Sequence, residues 1–161
     1  MEPKPSVLDV VLALDPGKTT GACLMVVKDN VVCRIATQSW SKPDLYQQFD
    51  NQAWNRITAV AIEDFRLYPW LAKQQAFRQM EAPKVIGLIE YLAFKAGLPL
   101  HFYLAGTYKP RTKPEDLREL GYKLRGIPEH EKDALRLALY HISKIRGRIP
   151  ECPKSTIILK T

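Results

Sequence analysis

Residues Val7 to Leu14 form an almost unbroken apolar run in which Asp9 is the one charged residue. Such a run is typical of a β-strand that is buried on both faces, as in the middle of a sheet covered by helices. It stops abruptly at Asp15, Pro16 and Gly17. The sequence therefore predicts a central strand with a carboxylate where the strand reaches the sheet edge.

The rest of the chain alternates between strand and helix patterns. Predicted strands are Val7 to Leu14, Gly21 to Val27, Val31 to Trp40, Ile57 to Ile62 and Leu100 to Leu104. Predicted helices follow a Ser41 N-cap to about Gln52, then run from Ala82 to Ala96, Pro114 to Leu120 and Pro128 to Arg146. This order predicts an α/β fold: a mixed five-stranded sheet, with a three-stranded antiparallel meander and two parallel strands, flanked by helices. No element is predicted for the tail from residue 150.

Length and composition favour one domain over residues 1–161. No apolar stretch approaches the ~18 residues of a membrane span, and the start, Met-Glu-Pro-Lys-Pro, lacks a signal-peptide core, so a cytoplasmic location is expected. The three cysteines show no Cys-x-x-Cys spacing, which argues against a disulfide framework or a zinc site.

The net charge of +7 is unevenly distributed. Residues 1–60 hold six Lys/Arg and six Asp/Glu, whereas residues 61–161 hold eighteen against eleven. An excess confined to one part of the chain suits a protein that presents one face to a polyanion, although a solvated basic surface would look the same.

Three acidic residues stand where chemistry is expected. Asp15 and Glu63 each end an apolar strand, and an ionised carboxylate in such a place needs a compensating partner. Asp133 follows His130 by three residues early in the last helix, so both side chains lie on one helical face. Each acid taken alone has an ordinary explanation: a strand-end acid can simply lie at the solvent boundary, and an acid early in a helix complements the helix dipole. Together they predict an oxygen-rich site that favours Mg²⁺ or Mn²⁺, with two ions about 4 Å apart suited to phosphodiester hydrolysis.

Three segments, Ala-Leu-Asp-Pro-Gly-Lys-Thr-Thr-Gly, Val-Ala-Ile-Glu-Asp-Phe and His-Glu-Lys-Asp-Ala-Leu-Arg-Leu-Ala-Leu, resemble in order and spacing the signatures of RuvC-type Holliday junction resolvases. The resemblance spans roughly Val7 to Ile145. It implies an RNase H-like fold, a homodimer and paired Mg²⁺- or Mn²⁺-dependent nicks in a four-way DNA junction. It also implies that Asp15, Glu63 and Asp133 are catalytic acids and metal ligands, with His130 binding metal or assisting the water.

The same resemblance locates candidate DNA contacts and a dimer helix. The family has a loop after the second acid whose aromatic residue enters the junction, and Phe65-Arg66-Leu67-Tyr68-Pro69-Trp70 lies at that place. The helix from Ala82 to Ala96 resembles the family's dimer helix, although an ordinary core helix would look alike. Phosphate contacts are expected from charge alone in the segment around residue 110. The predicted DNA-binding residues are Lys18, Phe65, Arg66, Tyr68, Lys109, Arg111 and Lys113.

Other readings of the motifs remain open. Gly17-Lys18-Thr19 is no P-loop, because Leu12 stands where that motif needs glycine, so no nucleotide cofactor is expected. An actin- or sugar-kinase-like ATPase would be much longer. A nuclease acting on RNA–DNA hybrids or flaps, or a non-cleaving junction-binding protein, is the alternative. Compactness and divergence resemble phage-encoded members, which would act in the host cytoplasm.

Overall fold

The computed structural model describes residues 7–51, 54–66, 69–71 and 80–160, which form a sheet of six strands with helices on both faces. The strands are β1 (Leu8–Asp15), β2 (Thr20–Lys28), β3 (Val31–Trp40), β4 (Ala59–Asp64), β5 (Leu100–Leu104) and β6 (Ile157–Lys160). The helices are α1 (Lys42–Asn51), α2 (Glu81–Ala96), α3 (Ala105–Tyr108), α4 (Pro114–Glu119) and α5 (Glu129–Arg146). Short 3₁₀ turns cover Trp54–Arg56, Pro69–Leu71 and Lys109–Arg111. The predicted α/β class is confirmed.

The strand order is β5-β4-β1-β2-β3-β6. Strand β2 is antiparallel to β1 and β3, and the remaining neighbours are parallel. The predicted meander and the two parallel strands are therefore present. The tail adds β6 beside β3, so the sheet has six strands rather than the five predicted. The carboxyl ends of β1, β4 and β5 lie at one edge of the sheet, where ligands of such sheets usually bind.

Local chemistry explains how the meander and α1 begin. Asp29 and Asn30 join β2 to β3 with φ of 49° and 65°, the left-handed conformation of a two-residue hairpin turn, which Asp and Asn tolerate. At the start of α1, the Ser41 amide donates to Oδ2 of Asp44 at 2.8 Å, and the Asp44 amide donates to Oγ of Ser41 at 3.3 Å. This reciprocal cap confirms the predicted helix start.

Two apolar cores lie on the two faces of the sheet. In β1, Val11 and Ala13 face α5, whereas Leu12 and Leu14 face α1 and α2, as the two-residue period of a strand requires. The helical period of the sequence predicts an apolar stripe on α5 made of Ala134, Leu137, Ala138, Ile142 and Ile145. The first four are buried, but Ile145 is 55% exposed and lies outside the core, so that part of the prediction is wrong. The buried surface of α5 extends beyond the stripe because the segment 120–127 packs against its flank. No helix in the described ranges is long and apolar enough to cross a membrane.

Candidate active site

The sheet and α5 bring Asp15, Glu63 and Asp133 to one place. Leu14 of β1 pairs with Ile62 of β4, so Asp15 and Glu63 follow at adjacent positions of the same edge. Both share the strand face that packs against α5, which carries Asp133 two turns or less from its start. Lys109 contacts Glu63 and Asp133 with one ammonium group, which shows how near these two carboxylates lie. The three predicted acids are therefore neighbours in space.

Asp15 is buried, and its side chain contacts His130. Its side chain accepts a hydrogen bond at Oδ2 from, or shares a proton with, Nδ1 of His130 at 2.7 Å. Burial raises the pKa of Asp15 to about 6, and the negative charges of Glu63 and Asp133 add to the rise, while the His130 contact opposes it. The positive charge around the Asp15 carboxylate is therefore too small to offset its burial and the two neighbouring acids.

Lys109 supplies part of that positive charge. Its Nζ donates to Oδ2 of Asp133 at 2.6 Å and lies 3.5 Å from Oε2 of Glu63. Burial alone would lower the pKa of Lys109, but the hydrogen bond to Asp133 and the surrounding acids outweigh it and raise the pKa. The lysine that was predicted from charge as a phosphate contact thus lies among the carboxylates, as a fully charged ammonium.

Tyr108 fixes the position of Glu63. Its buried hydroxyl donates to Oε2 of Glu63, the same oxygen that Lys109 approaches. Burial, followed by the charge of Glu63, raises the pKa of Tyr108, so the phenol keeps its proton and remains a donor. Both contacts fall on Oε2, so among the side chains that the structure describes Oε1 of Glu63 is left for a further partner.

Arg136 holds Asp133 and the turn that carries Lys109. Its Nη1 lies 3.2 Å from Oδ1 of Asp133, one helical turn away. Its Nε and Nη2 donate to the carbonyl oxygens of Thr112 and Lys109, each at 2.8 Å. The guanidinium therefore ties α5 to the turn after β5. Tyr108 and Arg136 are not among the site residues predicted from the sequence; for Arg136, the spacing of three from Asp133 was the available signal.

The first turn of α5 is fastened to the sheet beside Asp15. Gly21 of β2 pairs with Asp15, and its missing side chain makes room for the backbone of His130. Next to it, the hydroxyl of Ser39 donates to Oε1 of Glu131 at 2.6 Å. These contacts position the helical turn that carries His130 and Asp133 relative to β1.

The donor set suits a divalent cation of the magnesium type. Three carboxylates face one another with two fixed cations, Lys109 and Arg136, so one negative charge is left over when His130 is neutral. Carboxylate oxygens are the ligands that Mg²⁺ and Mn²⁺ prefer. Within residues 7–51, 54–66, 69–71 and 80–160, no three His, Cys, Asp or Glu side chains yet surround one point as ligands must. The Lys109 ammonium stands between two of the acids.

The predicted DNA-binding residues lie around this edge with different exposures. Lys18, Arg66, Arg111 and Lys113 are exposed, and Phe65 is half-buried. Tyr68 lies outside the described residues. Trp70, in the same loop, is 75% exposed and so presents the most open ring among the loop's described aromatic residues.

No protein-family model and no curated protein matches the sequence. Among solved structures, T. thermophilus RuvC in complex with a Holliday junction substrate matches with a TM-score of 0.63 and 22% identity, covering 89% of this chain and 98% of that chain. The large terminase of a thermophilic bacteriophage matches with a TM-score of 0.35 and 14% identity, over 90% of this chain and 42% of that chain, and supports no conclusion. Near-complete coverage of both chains in the first match establishes the architecture. The chain therefore has the RuvC-type, RNase H-like fold that the sequence resemblance predicts.

Proposed function

We propose that this protein is a metal-dependent endodeoxyribonuclease that cuts four-way DNA junctions. The observation that carries the proposal is the convergence of Asp15, Glu63 and Asp133 around the Lys109 ammonium at the carboxyl edge of a RuvC-type sheet. The structural neighbour was solved with a Holliday junction substrate, which supports branched DNA as the substrate.

The three acids and His130 would hold Mg²⁺ or Mn²⁺, two ions per site. When bound, such ions activate a water molecule and stabilise the leaving oxygen of a phosphodiester. Burial and the neighbouring acids disfavour the ionised form of Asp15 in the absence of a cation, and a bound cation would offset both effects. His130 orients the Asp15 carboxylate through Nδ1.

The remaining side chains of the site hold the carboxylates in position and neutralise negative charge. Tyr108 holds Glu63, and Arg136 holds Asp133, so the carboxylates are fixed before DNA arrives. Lys109 offers its ammonium to the non-bridging oxygens of the scissile phosphate, where fixed positive charge stabilises the transition state. No proton has to leave Lys109 for this role.

Exposed side chains at the same edge would bind the DNA around the cut. Lys18, Arg66, Arg111 and Lys113 suit phosphate contacts, which fix the register of the duplex arms without reading sequence. In the loop after β4, we assign base stacking to Trp70, since its ring is 75% exposed.

A second copy of the chain would complete the enzyme, because paired nicks need two sites. Helix α2 presents Gly87, Tyr91 and Phe94 at spacings of four and three on its outer face, and Phe94 is 82% exposed. Exposed aromatic residues beside a glycine permit close helix packing. We propose α2 as the dimer contact.

The direct test is a nicking assay on a synthetic four-way junction with duplex, fork and RNA–DNA hybrid controls. Asp15→Asn, Glu63→Gln and Asp133→Asn should each abolish Mg²⁺-dependent nicking while junction binding persists. The matched control is Asp44→Asn, which removes an exposed carboxylate that contacts Ser41 and should cut normally. Preferential cutting of hybrids would point to a ribonuclease H activity, and binding without cutting by the wild type would make this a junction-binding protein.

A further inference from the structure

A cavity of about 370 Å³ lies beside the candidate active site, between α4, the segment 120–127 and the first turns of α5. Pro114 and Leu124, the latter buried in the fold, supply its apolar wall. Four basic side chains and one acidic side chain, Glu129, complete the lining, the basic ones being Arg118, Arg125, Lys132 and Arg136. We propose that this cavity receives one unpaired nucleotide of the DNA strand being cut.

The charge of the lining selects an anion. Four positive side chains against one negative side chain leave a formal charge of +3, or +2 once the Asp133 carboxylate that pairs with Arg136 is included. Glu129 is already engaged by Lys132, whose Nζ lies 3.0 Å from Oε2 of Glu129. Three of the basic groups are guanidinium groups, which match phosphate oxygens and also stack on bases through their planar faces. Phosphate and base in one ligand describe a nucleotide.

The size of the cavity selects a single nucleotide. A volume near 370 Å³ falls in the range of small-molecule pockets, roughly 300–1,000 Å³, and far exceeds what a phosphate group alone would fill. A stacked base pair does not fit such a space, so the base must have left the duplex. Leaving the stack costs least where pairing is already interrupted, as at the crossing point of a junction.

Arg136 connects the cavity to the candidate active site. Its side chain lines the cavity, while Nη1 contacts Asp133 and Nη2 donates to the carbonyl of Lys109. A nucleotide in the cavity would thus be separated from Asp133 by the Arg136 side chain. Each guanidinium nitrogen of Arg136 already contacts protein, whereas exposed Arg118 donates a long hydrogen bond of 3.4 Å from Nε to the carbonyl oxygen of Pro114, so Arg118 is the group expected to contact the ligand phosphate.

The inference rests on the proposed function, and the test separates the two. Junctions carrying a single abasic site, moved one nucleotide at a time along the cut strand, are titrated with protein in the absence of divalent cation. We expect one position near the cut where loss of the base weakens binding about tenfold. In Leu124→Trp, whose indole fills the cavity, that position should become insensitive. The matched control is Ile145→Trp, a substitution at an exposed site near the far end of α5 that should keep the wild-type pattern.

Since Leu124 is buried, Leu124→Trp could fail by misfolding, so a variant at an exposed residue provides a second test. Arg118→Glu reverses one exposed charge of the cavity and should also remove the position-specific effect, whereas Lys28→Glu, at the opposite end of the sheet, should preserve it. A flat abasic profile in the wild type, or an unchanged profile in both cavity variants, overturns the inference. If the wild type cuts junctions but gives a flat profile, the inference fails and the proposed function stands. If it gives a position-specific profile but does not cut, the inference stands and the proposed nuclease function fails.

Discussion

Gly21 is in backbone contact with His130: a Cβ on Gly21 would lie 2.0 Å from the His130 carbonyl oxygen and 2.2 Å from its carbonyl carbon. Gly21 also pairs with Asp15 across the β1–β2 ladder. This one contact therefore fixes the distance between the Asp15 carboxylate and the first turn of α5, which carries His130. The glycine is required by space and not by backbone conformation.

We predict that Gly21→Ala displaces the start of α5 and separates Asp15 from Asp133. Overpacking of this kind costs roughly 1–3 kcal/mol of stability, and a displacement near 1 Å in a catalytic site costs about 100-fold in rate. Thermal unfolding and junction nicking measure the two effects. The control is Gly106→Ala, since an added Cβ there meets no atom within 4 Å. Wild-type nicking by Gly21→Ala would show that the contact does not set the site geometry.

The three acids could be predicted from sequence because each stands at an interruption of a strong pattern. Asp15 and Glu63 end apolar strands, and the parallel pairing of β1 with β4 brings strand ends to one edge. Asp133 follows its neighbour His130 at helical spacing. Period and strand order were enough to expect these side chains together.

The residues around the acids lacked such signals. Tyr108 ends the four-residue helix α3 and Lys109 begins the 3₁₀ turn that follows it; both elements are too short to show an apolar period, so the direction of each side chain depends on the local backbone. A basic residue in such a turn predicts phosphate binding, whereas its contact with Asp133 depends on tertiary structure. Strand β6 is four residues long at the sheet edge, too short for a pattern to show.

Asp15→Asn should stabilise the metal-free protein at neutral pH. The pKa of Asp15 is raised from 3.8 to about 6 on folding, so the folded state holds an extra proton between these values and stability falls as pH rises through that window. Asparagine removes the cost, which corresponds to about 1–3 kcal/mol above pH 6. Unfolding in chelator at about pH 7 should show the gain, and the gain should shrink towards about pH 4.

Asp44→Asn is the control of opposite sign. Hydrogen bonds from the side chain and backbone of Ser41 lower the pKa of Asp44, so its ionised form stabilises the fold above its ordinary titration range. This variant should lose stability at neutral pH. A gain at position 15 that is equal at both pH values would show that it comes from packing and not from ionisation.

The Mg²⁺ requirement of nicking should depend on pH on the acid side. A metal ligand must lose its proton, and Asp15 holds its proton below about pH 6. The half-saturating Mg²⁺ concentration should therefore rise up to about tenfold per pH unit below that point and level off above it. Titrations of nicking rate against Mg²⁺ at several pH values measure it. A constant half-saturating concentration down to about pH 5 would remove Asp15 from the ligand set.

Lys109→Met should separate two effects of the ammonium. With its positive charge removed from between Glu63 and Asp133, Mg²⁺ should half-saturate at a lower concentration, because the ion no longer competes with the lysine. The nicking rate at saturating Mg²⁺ should nevertheless fall about 100-fold, since fixed charge at the phosphate is lost. Lys113→Met, in the exposed part of the same segment, should change only the salt dependence of DNA binding. Full-rate nicking by Lys109→Met would show that the lysine only neutralises Glu63 and Asp133 when no metal is bound and does not act on the phosphate.

If α2 forms the proposed dimer contact, Phe94→Glu should make the chain monomeric. Val85, Ile89 and Ala93 bury the inner face of α2, so the opposite face, with Phe94 82% exposed and Tyr91 58% exposed, is free to pack against a second α2. A glutamate there places two like charges at the centre of the symmetric contact, because each copy contributes the same residue.

Light scattering at micromolar concentration should therefore give twice the chain mass for the wild type and the chain mass for Phe94→Glu. On a junction, the variant should make single nicks and lose the coordination of paired cuts, since each monomer carries one site. Tyr46→Glu, which replaces a 47%-exposed aromatic residue on α1, should remain dimeric. If the wild type has the mass of one chain while cutting in pairs, two monomers must meet only on the DNA, and α2 is then not the contact that joins them.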